Sequence, residues 1–187
     1  MASLYVMVGI PGSGKSTVAT KVASQKPGTV IVSSDELRAK YFGSEDTMYD
    51  DTLIQPYMDG LSDDEKQKEM YKKIAGDAFI FEKMDKICEK ALKDGHDVIY
   101  DATNTRRVNR ASTLYRFFDI CDGVYIVYIN CPLELALKRN SERERHVPED
   151  VIRRMYTKMD IPEPRENAKR GYVSWQKDWT DVIVVNM

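Results

Sequence analysis

Residues 9–17 read Gly9-Ile10-Pro11-Gly12-Ser13-Gly14-Lys15-Ser16-Thr17, the spacing GxxxxGK[ST]. The flanks decide what it means. Residues 4–8 form a short apolar, β-branched run, which predicts a buried strand. Residues 15 to about 24 predict a helix. Glycines between strand and helix let the backbone curl so that several N–H groups point at one anion. The positive end of the helix dipole adds to that attraction. Gly9, Gly12, Ser13, Gly14, Lys15, Ser16 and Thr17 are therefore candidate ATP-binding residues. Lys15 is placed to reach the β- and γ-phosphates, and Ser16 to offer its hydroxyl to Mg2+. A chance glycine turn is the alternative, and the strand–motif–helix order argues against it.

Further along, apolar runs at residues 29–32, 98–100, 124–129 and 182–185 predict four more strands. Short helices are expected at residues 36–42 and at about 107–118. Pro132 opens another, to about Asn140, and Pro148 one more, to about Met159. Residues 44–63 read as an acidic loop with short helical pieces. Ser62-Asp63-Asp64-Glu65 then looks like a helix start. Met70, Ile74, Ala78, Phe81, Met84, Cys88 and Ala91 carry a long helix to about Leu92, and Lys93-Asp94-Gly95 stops it. The strands are solid apolar runs that alternate with helices. That pattern predicts an α/β phosphate-loop NTPase fold: five strands, mainly parallel, with helices on both faces. The expectation is a single domain over residues 1–187, with an acidic, mostly helical insertion at 43–97 and a lid at 139–148.

The chain has 187 residues, 42% hydrophobic and 31% charged, which excludes a disordered or repetitive chain. No uncharged apolar run is long enough to span a membrane, and the N-terminal stretch lacks the basic region of a secretory signal. Cys88, Cys121 and Cys131 lie far apart without metal-ligand spacing. They fit reduced thiols in a cytoplasmic, intracellular protein. Net charge is −2, but residues 43–97 hold 15 acids and 8 bases, so the remainder carries +5. A local cationic groove is compatible with that distribution.

Ligands of an open parallel sheet sit at the carboxyl ends of its strands. Asp35 follows the second strand, which is expected near the first. Its carboxylate could take the proton of an attacking hydroxyl, or merely cap the next helix. Arg38, one helical turn on, could hold an anionic part of the acceptor. Asp101 ends the third strand and is a candidate for holding Mg2+, through water, or for a turn. Arg139, Arg143 and Arg145 lie between two helices, where a mobile lid could close over ATP; Glu142 and Glu144 leave a solvated helix end as the other reading. Arg106, Arg107 and Arg110 could meet a phosphate or be surface charge. His96 and His146 read as surface residues.

Several segments together resemble the kinase domain of phage-type 5′-hydroxyl polynucleotide kinases. They are Gly9 to Thr17, Ser34-Asp35-Glu36-Leu37-Arg38, Asp101-Ala102-Thr103-Asn104, Leu137-Lys138-Arg139-Asn140-Ser141, Val147-Pro148-Glu149-Asp150-Val151 and Arg154-Met155-Tyr156. The resemblance implies catalytic roles for Asp35, Lys15 and Arg143, with Asp35 as general base for the 5′-hydroxyl. It implies that Arg38 binds the phosphate beside the acceptor nucleoside, with Asp101 supporting the acceptor side or the metal. Arg143 would be the lid arginine on the donor phosphates, and Arg139 would lie near the adenine or the phosphates. ATP and Mg2+ are the implied cofactors, and a 5′-hydroxyl end of RNA or DNA the implied partner. The phosphatase motif of the phage enzyme is absent, and residues 43–97 match no part of that family; they could form an acceptor wall, but their charge would repel a polynucleotide if they lined the channel.

No Asn-Lys-x-Asp guanine-specifying segment is present, which argues against a GTPase switch. The rival readings are a small-molecule kinase acting on a nucleoside, sugar or other metabolite, and a nucleotide-binding regulator without transfer activity. Asp35 with Arg38 speaks against the regulator, which would need neither.

Overall fold

The computed structural model describes residues 2–42, 63–143, 146–163 and 180–187. Five strands form one sheet: β1 (Ser3–Val8), β2 (Val30–Ser33), β3 (Val98–Asp101), β4 (Gly123–Asn130) and β5 (Thr180–Asn186). Their spatial order is β2-β3-β1-β4-β5 and every neighbouring pair is parallel. The expected α/β sheet is therefore present and wholly parallel. The second strand lies near the first but not beside it, because β3 lies between them and pairs with both. The carboxyl ends still share one edge: Ser33 is in register with Asp101, one step from the phosphate loop.

Helices cover both faces: α1 (Lys15–Gln25), α2 (Ser34–Phe42), α3 (Asp63–Lys93), α4 (Arg107–Phe117), α5 (Leu133–Ser141) and α6 (Glu149–Thr157). The period of two along β1 splits its side chains between two cores. Leu4, Val6 and Val8 pack with Ile80, Met84 and Cys88 of α3 and Leu114 and Phe117 of α4. Tyr5 and Met7 pack with Ala19 of α1, Ala136 of α5 and Val151 and Ile152 of α6. Each such large side chain, fully buried, stabilises by roughly 1.5–3 kcal/mol. The acidic segment thus supplies a core helix: Ile80, Met84, Cys88 and Ala91 repeat at helical spacing and are buried. Gly95 ends the helix with φ +86°, its N–H bonded to the Leu92 carbonyl and that of His96 to the Ala91 carbonyl.

Helix boundaries agree with the sequence reading to within a residue or two. Pro132 and Pro148 stand just before the first residues of α5 and α6 rather than at them. The three cysteines are buried free thiols, and His96 and His146 are exposed, as expected. Residues 44–62, Glu144 and Arg145 lie outside the described residues. Among the described residues, no helix is long and apolar enough to cross a membrane.

Candidate active site

The phosphate loop runs from the end of β1 into α1, and its glycines are required sterically. Gly12 has φ +78°, and a Cβ there would stand 2.2 Å from the carbonyl oxygen of Ala136. Gly14 has φ +97°, beside the guanidinium of Arg139. At Gly9 a Cβ would meet the Ser13 hydroxyl at 2.7 Å. The Gly9 N–H donates to the Thr103 carbonyl at 3.0 Å, so Gly9 anchors the loop to the end of β3 rather than offering its amide to a ligand. The Ser13 side chain is fully buried, and its hydroxyl has no partner among the described residues.

A cavity of about 300 Å³ opens at the carboxyl ends of β1, β2 and β3. Its phosphate-loop end is lined by Gly12, Gly14, Lys15 and Ser16 of the loop, by Asp101 and by Arg143. Its other end is lined by Asp35 and Arg38 of α2, Asp77 and Phe81 of α3, Asn109 of α4 and Met155 of α6. The structure therefore brings Lys15, Ser16, Asp35, Arg38, Asp101 and Arg143 together, as the sequence pattern anticipates. Gly9, Ser13, Thr17 and Arg139 stand outside the lining. Arg139 donates to the Ser13 carbonyl at 3.4 Å, so it braces the loop from behind.

Lys15 folds over the loop and donates to the Ile10 carbonyl at 2.9 Å. Burial lowers its pKa from the usual lysine value, while the nearby carboxylates of Asp101 and Asp35 oppose that shift and Arg143 adds to it. Asp101 is buried and accepts a bond from the Ser16 hydroxyl at 3.0 Å. Burial raises its pKa above the ordinary carboxylate value, against the pull of Lys15 and Ser16. A hydroxyl with a carboxylate behind it suits Mg2+, which takes few protein oxygens and keeps the rest of its shell for phosphate and water. Among the described residues, no cluster of three or more His, Cys, Asp or Glu side chains is grouped as a metal site.

Asp35 stands in the first turn of α2 rather than at its N-cap. The hydroxyl of Ser33 accepts the Glu36 N–H at 3.4 Å, and the Asp35 side chain is half exposed at the cavity wall. Arg38 is buried with its guanidinium bonded to Asp77 at 2.8 Å and to Asp35 at 3.4 Å. Sequence reading missed Asp77, Phe81, Asn109 and Met155. The spacing of Asp77 and Phe81, four residues apart on one helix face, was the available signal. Buried Asn140, near the end of α5, holds Val147: its amide donates to the Val147 carbonyl at 2.9 Å and accepts the Val147 N–H at 3.0 Å.

The basic trio after Asp101 needs correction. Arg110 is completely buried and donates to the carbonyls of Asn104 and Asp160. Arg106 pairs with Asp160, and Arg107 with Glu163. These arginines tie the Asp101–Asn104 turn to the end of α6 rather than forming an open phosphate patch. The acids that satisfy them are about fifty residues away, out of reach of local sequence reading.

Sheet order and loop geometry define a phosphate-loop α/β domain of the kinase-like kind. A family profile described as AAA domain matches residues 4–162, and the chain belongs to that family. Among curated proteins it is similar to L-seryl-tRNA(Sec) kinase of Methanococcus maripaludis, 29% identical over 164 residues, which cover 85% of this chain and 53% of that protein. A 46-residue stretch is 43% identical to L-seryl-tRNA(Sec) kinase of Mus musculus, covering 25% of this chain and 13% of that one. The chain thus spans about half the length of the Methanococcus protein. Among solved structures, a chain of the Pnkp1/Rnl/Hen1 RNA repair complex superposes with TM-score 0.63 at 21% identity, over 84% of this chain and 43% of that one. A sugar kinase from Janibacter sp. HTCC2649 gives 0.58 at 18%, over 100% of this chain and 85% of that one. At these identities both likenesses establish the fold.

Proposed function

We propose that this protein transfers the γ-phosphate of ATP to a hydroxyl borne by a nucleic acid, in first place the 5′-hydroxyl of an RNA or DNA end. The observation that carries the reading is the meeting of Lys15, Ser16, Asp35, Asp101 and Arg143 around one cavity. The similarity to a kinase named for L-seryl-tRNA(Sec) supports a nucleic-acid-borne acceptor. Three buried thiols suit a cytoplasmic setting.

In this reading Asp35 accepts the proton of the acceptor hydroxyl as its oxygen attacks phosphorus in line. The bond from phosphorus to the bridging oxygen breaks, and ADP leaves. Lys15 and Arg143 offset the negative charge on the transferring group, aided by the dipole of α1. Ser16, backed by Asp101, would hold Mg2+, which neutralises phosphate charge when bound. Val147 and Met155 wall the cavity against water, which limits hydrolysis of ATP.

A second reading, transfer to an uncharged nucleoside, sugar or other small metabolite, is favoured by the pairing of Arg38 with two carboxylates. Incubation with γ-labelled ATP separates the readings. Label on a 5′-hydroxyl oligonucleotide supports the first. Label only on a panel of nucleosides and sugars replaces it with the second. No label on any acceptor, with ATP still bound, removes phosphotransfer altogether.

A further inference from the structure

Arg38 is the deeply buried cation of the acceptor end, only 4% exposed. Its nearer counter-charge comes from α3 and not from the proposed base: Asp77 is bonded at 2.8 Å, Asp35 at 3.4 Å. Phe81, one turn along from Asp77, lies with its ring centroid 5.9 Å from the guanidinium carbon. A buried guanidinium needs such a counter-charge to repay its lost hydration. The pairing has a consequence for binding. An acceptor carrying a phosphate next to its reacting hydroxyl meets a guanidinium whose charge Asp77 already offsets. It then sits close to two like charges, Asp77 and Asp35. An uncharged or cationic neighbour pays neither penalty.

We propose that Asp77 is a specificity-determining residue: by holding Arg38 it sets the acceptor subsite against a phosphate beside the reacting hydroxyl. The proposal rests on the phosphotransfer reading; because the terminal nucleoside of a polynucleotide end carries such a phosphate, it weighs toward the second, small-metabolite reading of the acceptor. Specificity of this kind is a difference between affinities, created by repulsion as much as by attraction.

The test compares wild type with Asp77→Asn, which keeps the shape and removes the charge. Two acceptors are used, a nucleoside and its 3′-phosphate, each with a free 5′-hydroxyl. The ratio of kcat/KM for the 3′-phosphate to kcat/KM for the nucleoside is expected to rise about tenfold in Asp77→Asn, the scale of one nearby charge in a partly screened site. Asp77→Glu, which keeps the charge, should hold the wild-type ratio. An unchanged ratio in Asp77→Asn, including an equal fall on both acceptors, would overturn the proposal and leave Asp77 a structural residue. If Asp77→Asn does not fold, Asp77→Ser is read in the same way. Calorimetric affinity for the nucleoside 3′-phosphate gives a readout independent of transfer. It should tighten by a similar factor on loss of the charge, and equal affinity overturns the proposal. A wild-type protein that labels neither acceptor counts against the phosphotransfer reading alone, and the binding comparison then decides the role of Asp77.

Discussion

The hydroxyl of Ser16 donates to the carboxylate of Asp101 at 3.0 Å, joining the first turn of α1 to the end of β3 across the cavity floor. Burial raises the pKa of that carboxylate. A group that titrates higher in the fold than in the unfolded chain favours folding while protonated. It loses that contribution as pH rises through its folded value. Once ionised, Asp101 therefore costs stability. Asp101→Asn is expected to melt a few degrees higher than wild type in buffer without nucleotide or Mg2+, with the gain shrinking toward pH 3. Its turnover should fall, with a higher Mg2+ requirement. Melting curves across pH, beside a Mg2+ titration of activity, check both halves.

Lys15 lines the phosphate-loop end of the cavity, folded onto the Ile10 carbonyl. Lys15→Ala should lower transfer at least ~10²-fold with every acceptor tried, since it removes charge stabilisation rather than acceptor recognition. Turnover measured on two unrelated acceptors is the check; loss on one acceptor alone would move Lys15 to the acceptor side.

Asp35 stands at the cavity wall, one turn before Arg38 on α2. Asp35→Ala should cut kcat by about 10²–10⁴-fold, the usual range for a positioned general base. ATP affinity should stay near wild type. Single-turnover kinetics with a separate ATP titration measure the two effects, and retained kcat would remove Asp35 as the base.

Arg110 is fully buried and holds two backbone carbonyls from different segments. Arg110→Ala leaves those carbonyls without their donor and opens a cavity, so unfolding free energy should drop by about 3 kcal/mol or more. A surface arginine would cost under ~0.5 kcal/mol. Urea denaturation distinguishes the two.

Burial pushes the Cys121 thiol up to about 11, and that of Cys88 further. Thiolate is the reactive form. Alkylation with iodoacetamide at pH 8 should leave both cysteines unmodified over minutes in the folded protein, and all three cysteines of the chain should react in denaturant. Peptide mapping reads the outcome.

The local parts of this protein were legible in its sequence. Strands and helices follow from the period of their apolar residues, and the phosphate loop from glycines that only its backbone requires. Asp35 and Asp101 could be placed at the functional edge because parallel strands end there. Other features were decided by the tertiary structure. The insertion of β3 between β1 and β2 depends on pairing between strands far apart in the chain, which apolar periodicity does not encode. The partners of charged residues are set the same way. Asp77 reaches Arg38 across thirty-nine positions, and Asp160 reaches Arg110 across fifty. Two arginines that look alike as text thus become different objects, one a cation at a cavity wall and the other a buried brace. Charge type is carried by the residue; what offsets that charge depends on which distant segment the packed sheet brings within bonding distance.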